Sequence, residues 1–177
     1  AWAPDVYQGA PAGVVGFMAS VAKVGGFAAL IRVLLTAFPG LAGDWRPLVA
    51  GIAALSMVVG AVVAVAQTDV RRMLAYSGVA HAGFILSGLV AGGPGAGAMW
   101  FYLAVYTLQL VGAFGVVAAV SGAGASGSDL AAYSGLARRS PHLAVSLAVF
   151  LLGMSGVPLT SGFIAKFGVF QQVWIAG

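Results

Sequence analysis

An all-α integral membrane bundle of about five transmembrane helices, the last broken near Pro158, is the fold class that this sequence predicts. Three observations lead there. Of the 177 residues, 61% are hydrophobic and only 7% charged, against roughly 25% charged in a soluble domain. The apolar residues run in stretches with no polar helix face, several of them near the ~20 residues that a helix needs to cross a hydrocarbon core of about 30 Å. The connections between them are short and rich in Gly and Pro, leaving no globular stretch, so residues 1–177 read as a single transmembrane domain.

The first span is expected over 12–38, stopped by Pro39-Gly40. The second, 47–67, contains no acidic or basic residue. It opens on Pro47, whose missing N–H is harmless in a first helical turn. The third, 73–91, ends at Gly92-Gly93-Pro94, and the fourth covers 98–121. The fifth, 142–175, is interrupted over 155–162. The longest connection, 122–141, is Gly- and Ser-rich before turning basic at Arg138-Arg139, and it is too polar to lie in lipid. Its length suits an ordered surface loop.

Composition removes several functions. With no Cys, disulfides, thiolate metal sites and cysteine nucleophiles are excluded. Two His, four Asp and no Glu argue against a protein-built metal cage. The net charge of +4 comes from few residues and gives little support to nucleic-acid binding; it reads as a topology signal. Arg71, Arg72, Arg138 and Arg139 fall on one side of an alternating bundle, with Arg46 and the snorkelling Arg32 on the other, so the former loops are expected in the cytoplasm. The chain opens Ala-Trp-Ala-Pro, without Met or a charged leader and cleavage site, so the reading is a fragment of a longer chain rather than a signal peptide.

Ionisable residues within the spans are the functional candidates. Lys23 stands about 16 Å into the first span at ~1.5 Å per residue, beyond easy snorkelling reach of either interface. A lysine at that depth costs at least ~2.5–3.5 kcal/mol, so it calls for a hydrated cavity or an acidic partner. Asp5, Asp44, Asp69 and Asp129 all lie in or beside connections, which puts the counter-charge outside this chain. Lys166 follows Ser155-Gly156-Val157-Pro158-Leu159-Thr160-Ser161-Gly162. Pro158 there removes a backbone donor, and non-helical backbone at membrane depth is tolerated only inside protein or against water. Broken helices beside ionisable groups recur in ion transporters, although a plain proline kink would look similar.

His81 is either a satisfied structural donor or, beside two lysines, a group able to titrate near neutral pH. Tyr76, Tyr106 and Gln109 either extend a hydrogen-bonded path or hold helices together. An amine taken out of water favours its neutral form and a nearby carboxylate restores the charged one. Displacing a counter-charge therefore switches such an amine between holding and releasing a proton, which suits proton transfer better than substrate catalysis.

Three strings carry a resemblance. Trp2-Ala3-Pro4-Asp5-Val6-Tyr7-Gln8-Gly9-Ala10-Pro11 resembles the WxPDVYxGAP signature of the N-subunit family of proton-pumping NADH:quinone oxidoreductase, respiratory complex I. Gln67 to Ser77 with Ala80-His81 is similar to the QTxxKRxLAYSSIxH stretch of its antiporter-like membrane subunits, and Gly156 to Phe163 with Lys166 to their GxPxTxGFxxKF broken helix. The three occur in the family's order over nearly the whole chain.

The resemblance implies roughly the eighth to twelfth helices of the antiporter-like fold, with Lys23 and Lys166 at two proton-relay positions. The family's seventh-helix lysine and its paired glutamate have no counterpart here. It also implies a proton-translocating subunit in the inner (plasma) membrane, driven by redox chemistry elsewhere. Neighbouring membrane-arm subunits are the implied partners. No cofactor is implied in this chain, with flavin, iron–sulfur clusters and quinone in other subunits. Arg71 stands where Lys is frequent, and Gln109 where sister subunits tend to carry a basic residue, so a path through that helix would rely on water or Tyr106. A subunit of a multisubunit cation/proton antiporter or membrane-bound hydrogenase is the alternative, and a passive membrane scaffold the alternative of another class.

Overall fold

The structure, a computed structural model, describes residues 2–121 and 128–176. Every regular element among them is helical. A short α1 (Ala3–Gly9), with Pro4 in its first turn, leads into α2 (Ala12–Arg32), which continues as a π-helical turn over Val33–Ala37. Pro39 cannot extend that turn, and a 3-10 segment (Pro39–Leu41) passes into α3 (Ala42–Val65). Then come α4 (Val70–Val90), α5 (Gly93–Ser121), a 3-10 turn (Leu130–Tyr133), α6 (Leu136–Arg139), α7 (Pro141–Ser155) and α8 (Ser161–Ala176).

Among the described residues, four helical stretches are long and apolar enough to cross a membrane: Ala12–Ala37, Pro39–Val65, Val70–Val90 and Gly93–Ser121. The residues expected to form a broken fifth span make two helices of 15 and 16 residues, each by itself short of the ~20 that a crossing needs. Two boundaries differ from expectation. Pro47 lies inside α3 rather than opening it, because the helix starts at Ala42 with Asp44 in its first turn; there acidic charge meets the positive end of the helix dipole. Likewise α5 starts at Gly93, directly after Gly92 turns the chain at φ +73°, and includes Pro94. The Gly/Ser-rich part of the long connection, 122–127, lies outside the described residues.

α5 is the centre of the bundle, packed against α2, α4, α7 and α8. Its Tyr102, Leu103, Tyr106, Leu110, Phe114 and Val117 form the spine of the core. The tightest helix pair is α3 with α4. A Cβ on Gly60 would come within 2.5 Å of the Ala80 nitrogen, so the two backbones touch there and only glycine fits. Small residues at such crossings are how membrane helices gain van der Waals contact. The opposite flank of α3 exposes Leu48, Ile52, Leu55, Val58 and Val62, a contiguous apolar face that suits lipid or neighbouring helices rather than water.

One end of the bundle is fastened by polar groups. Asp69 caps α4 by accepting from the Arg72 amide at 2.9 Å, and it also accepts from the Ser128 hydroxyl. Val70 N–H donates to Ser128 O at 2.8 Å and Leu130 N–H to Thr68 O at 2.9 Å, a two-bond bridge between distant connections. Arg71, counted in the sequence as a loop charge, is buried and donates to the carbonyls of Gln8 (3.3 Å) and Ala10 (3.1 Å). Arg72 pairs with Asp5 at 2.7 Å and bonds Gln8 and Gln67. These bonds lash α1 to the start of α4. Tyr7, on α1, stands edge-on to Phe114 at 5.9 Å, and burial holds its phenol above the ordinary range, keeping it protonated.

Candidate functional site

The midsection of α4 faces α2 and α5, and the ionisable groups gather there. Lys23 sits halfway along α2, and its ammonium turns inward to donate to the Tyr106 hydroxyl of α5 at 3.0 Å, lying 4.8 Å from that ring's centre. Gly78 of α4 makes the space: a Cβ there would come within 2.6 Å of the Lys23 nitrogen and 3.0 Å of the Tyr106 oxygen. One turn further along α4, the His81 ring stacks on Tyr106 with centroids 4.5 Å apart. Its Nδ1 is hydrogen-bonded to the Tyr102 hydroxyl at 2.8 Å. All three rings are buried, with Tyr106 1%, Tyr102 2% and His81 6% exposed. Tyr102 and Tyr106 stand four residues apart on α5 and so share one helix face.

On its other side His81 lines a cavity of about 510 Å³ between α3, α4, α7 and α8, with Ser77, Phe84, Met154, Ser155 and Lys166 among the lining residues. Lys166 donates to the carbonyls of Met154 (3.0 Å) and Ser155 (2.9 Å) and lies 4.8 Å from the centre of the Phe84 ring. Those carbonyls belong to the last turn of α7, where the helix leaves its acceptors unpaired and carries partial negative charge. The lysine therefore caps the helix that precedes it.

The chain between α7 and α8 accounts for this geometry. Gly156 adopts φ +79° and ends α7. Thr160 N–H then bonds Val157 O at 3.1 Å with Pro158 and Leu159 between them. Pro158 at the first central position and a positive φ of 76° at Leu159 are the marks of a type II turn, with leucine where glycine is usual. Thr160 then accepts from the Phe163 amide at 3.3 Å and starts α8, which brings Lys166 back beside the end of α7. Gln109 spans the same junction from α5, its amide donating to the Ser161 hydroxyl at 3.1 Å and lying against Gly153.

The sequence-derived candidates thus divide. Lys23, Tyr106 and His81 meet in one cluster, while Lys166 reaches it across the cavity. Gln109 and Pro158 build the junction that positions Lys166. Tyr76 lies apart, beside Arg72 at the end of α4. The two lysines are half-buried rather than buried; among the described residues Arg71 and His81 are the buried basic groups. The reason is visible on α2, where Val21, Ala22 and Val24 are exposed and the lysine stem runs along that flank with only its head turned in. Tyr102, Gly78 and Phe84 escaped the sequence reading. The spacing 102, 106, 109 along one stripe of α5 was the available signal for Tyr102. Among the described residues no group of three His, Cys, Asp or Glu side chains is placed to hold a metal ion.

The transmembrane family model described as NADH:quinone oxidoreductase/Mrp antiporter matches residues 1–177. NADH-quinone oxidoreductase subunit N 3 of Streptomyces griseus is 53% identical over 171 residues, covering 96% of this chain and 31% of that protein. Subunit N of Mycobacterium tuberculosis is 52% identical over 181 residues (99% and 34%), and that of Thermobifida fusca 51% over 180 (99% and 33%). The chain spans about a third of the length of these curated relatives.

Proposed function

The chain belongs to the NADH:quinone oxidoreductase/Mrp antiporter transmembrane family, and on that premise we propose that it is the proton-conducting part of an N-type membrane-arm subunit, passing protons between Lys23, His81 and Lys166. The observation that carries this reading is the continuous line of polar groups inside an otherwise apolar bundle: the Lys23 ammonium on Tyr106, Tyr106 stacked on His81, and His81 facing Lys166 across a cavity. Isolated structural polar groups in lipid pair off locally; a series that crosses from α2 through α5 and α4 to α8 suits transfer.

In this reading α7 and α8 together make a fifth crossing, broken at Pro158 into two half-helices, and residues 1–177 act as one transmembrane domain. The α7 carbonyls offer Lys166 a counter-dipole without a carboxylate. Tyr106 carries the step out of Lys23, while Gln109 and Pro158 hold the junction in place. Tyr76 lies near the mouth of the path rather than along it. The end carrying Arg71, Arg72, Arg138 and Arg139 faces the cytoplasm of a cell bounded by this membrane. Energy comes from redox chemistry in partner subunits, this chain contributing no redox group of its own.

A cation/proton antiporter subunit remains the second reading, since the matching family description names Mrp antiporters as well; the subunit N names of the relatives favour the first. A passive scaffold is the third, and Lys166 as a helix cap would serve it. Lys23→Ala and Lys166→Ala, each in the full complex in sealed vesicles, separate these. The expected result is fewer protons moved per NADH oxidised with assembly intact. Undiminished translocation in both variants would refute the relay.

A further inference from the structure

Resting on that reading, we infer that Tyr102 is the positioning residue for His81: its hydroxyl fixes the ring's tautomer and thereby decides where a proton enters. The argument starts from a buried phenol. Tyr102 is 2% exposed, and among the described residues its hydroxyl has one hydrogen-bond partner, His81 Nδ1 at 2.8 Å. Two assignments satisfy that distance. If Nδ1–H donated to the phenol oxygen, the phenol's own hydrogen would be buried without an acceptor, and leaving a buried donor unpaired is the expensive outcome. If the phenol donates to Nδ1, its hydrogen is satisfied and the imidazole hydrogen sits on Nε2, which is not among the buried side-chain atoms left without a partner and belongs to a ring that lines the cavity. The second assignment therefore holds for neutral His81.

The surroundings give the bond its consequence. The groups facing His81 are Tyr106 from α5, stacked on the ring at 4.5 Å with Lys23 of α2 bound to its hydroxyl, and Lys166 of α8 across the cavity. Both lysines lie within electrostatic reach of the imidazole. Stacking stops the ring from tilting, and the Tyr102 bond stops it from flipping. With Nδ1 occupied as an acceptor, an incoming proton can settle there only after the phenol hydroxyl rotates away. Without the hydroxyl, Nδ1 and Nε2 become interchangeable and the ring loses its fixed direction. A tyrosine in an apolar helix otherwise reads as packing, and Tyr102 is well packed against Phe84, at 6.5 Å between ring centres.

The test uses the complete complex in sealed vesicles, with protons moved per NADH oxidised as the readout and subunit assembly measured in parallel. Tyr102→Phe, which keeps the ring and removes only the hydroxyl, should lower the ratio towards that of His81→Ala, and adding it to His81→Ala should cause no further loss. Two synthetic side chains separate hydrogen bonding from packing at position 102. The amine of 4-aminophenylalanine restores a donor at the same place and should recover most of the loss. The methyl of 4-methylphenylalanine restores only volume and should not. A normal ratio in Tyr102→Phe, rescue by both synthetic residues, or rescue by neither overturns the inference. Normal translocation in Lys23→Ala and Lys166→Ala would instead remove the relay reading on which it rests, so the two failures are distinct.

Discussion

Gly78 offers a way to disturb the lysine without touching any ionisable group. A Cβ at this position would stand 2.6 Å from the Lys23 nitrogen, whereas comfortable non-bonded contact needs about 3.5–4.0 Å. The ammonium must retreat by about 1 Å, which stretches its 3.0 Å bond to Tyr106 past the ~3.2 Å limit of a good hydrogen bond. Alanine leaves the flexible head some room to swing aside; leucine fills the notch. A hydrogen bond to a charged group contributes about 1.5–3 kcal/mol, so Gly78→Leu should reduce the population with Lys23 seated on Tyr106 by roughly 10- to 100-fold. The assay is proton uptake by vesicles containing the intact complex, set against NADH oxidation, for the series Gly, Ala, Leu. Translocation should fall in that order. A Gly78→Leu complex that assembles and pumps at the original ratio would refute the claim that this contact matters.

Two further substitutions probe the scaffold. Arg71→Ala strips the donors from the Gln8 and Ala10 carbonyls and should loosen α1 by about 1–3 kcal/mol, read as faster hydrogen exchange across Ala3–Gly9 with α5 unaffected. Leu159 is fully exposed at φ +76°, a conformation that costs a non-glycine residue about 1–3 kcal/mol. Leu159→Gly should therefore raise the thermal midpoint of the solubilised protein despite the loss of a large apolar side chain.

Much of this architecture is legible in the sequence. Helices of 21 to 29 residues such as α4 and α5 announce themselves because lipid demands unbroken apolar length, and Pro158 with its glycines announces a break. Lys23 and His81 stood out because an ionisable group is costly at depth. What sequence could not supply was direction and partner. Whether Lys23 points to lipid or to Tyr106 depends on a notch in another helix, 55 positions away from it along the chain. Tyr102 escaped notice because a buried aromatic in an apolar helix looks the same in sequence whether or not its hydroxyl finds a partner. Arg71 passed for a free loop charge because its acceptors are backbone carbonyls of α1, which composition does not reveal. Pro47 misled for a local reason: proline marks the first turn on average, yet the interior of α3 accommodates it.

The bridge of Val70 and Leu130 amides to Ser128 and Thr68 carbonyls has a meaning for how this chain enters the bilayer. The α4 leader and the segment that meets it leave the ribosome about sixty residues apart, and between them a helical pair must cross and return. Only when both segments emerge on the same face can the two amides find their acceptors. A pair in which one helix failed to cross would leave them on opposite sides of the lipid. The bridge thus closes only on chains in which both helices have crossed, in whichever sense the pair is threaded.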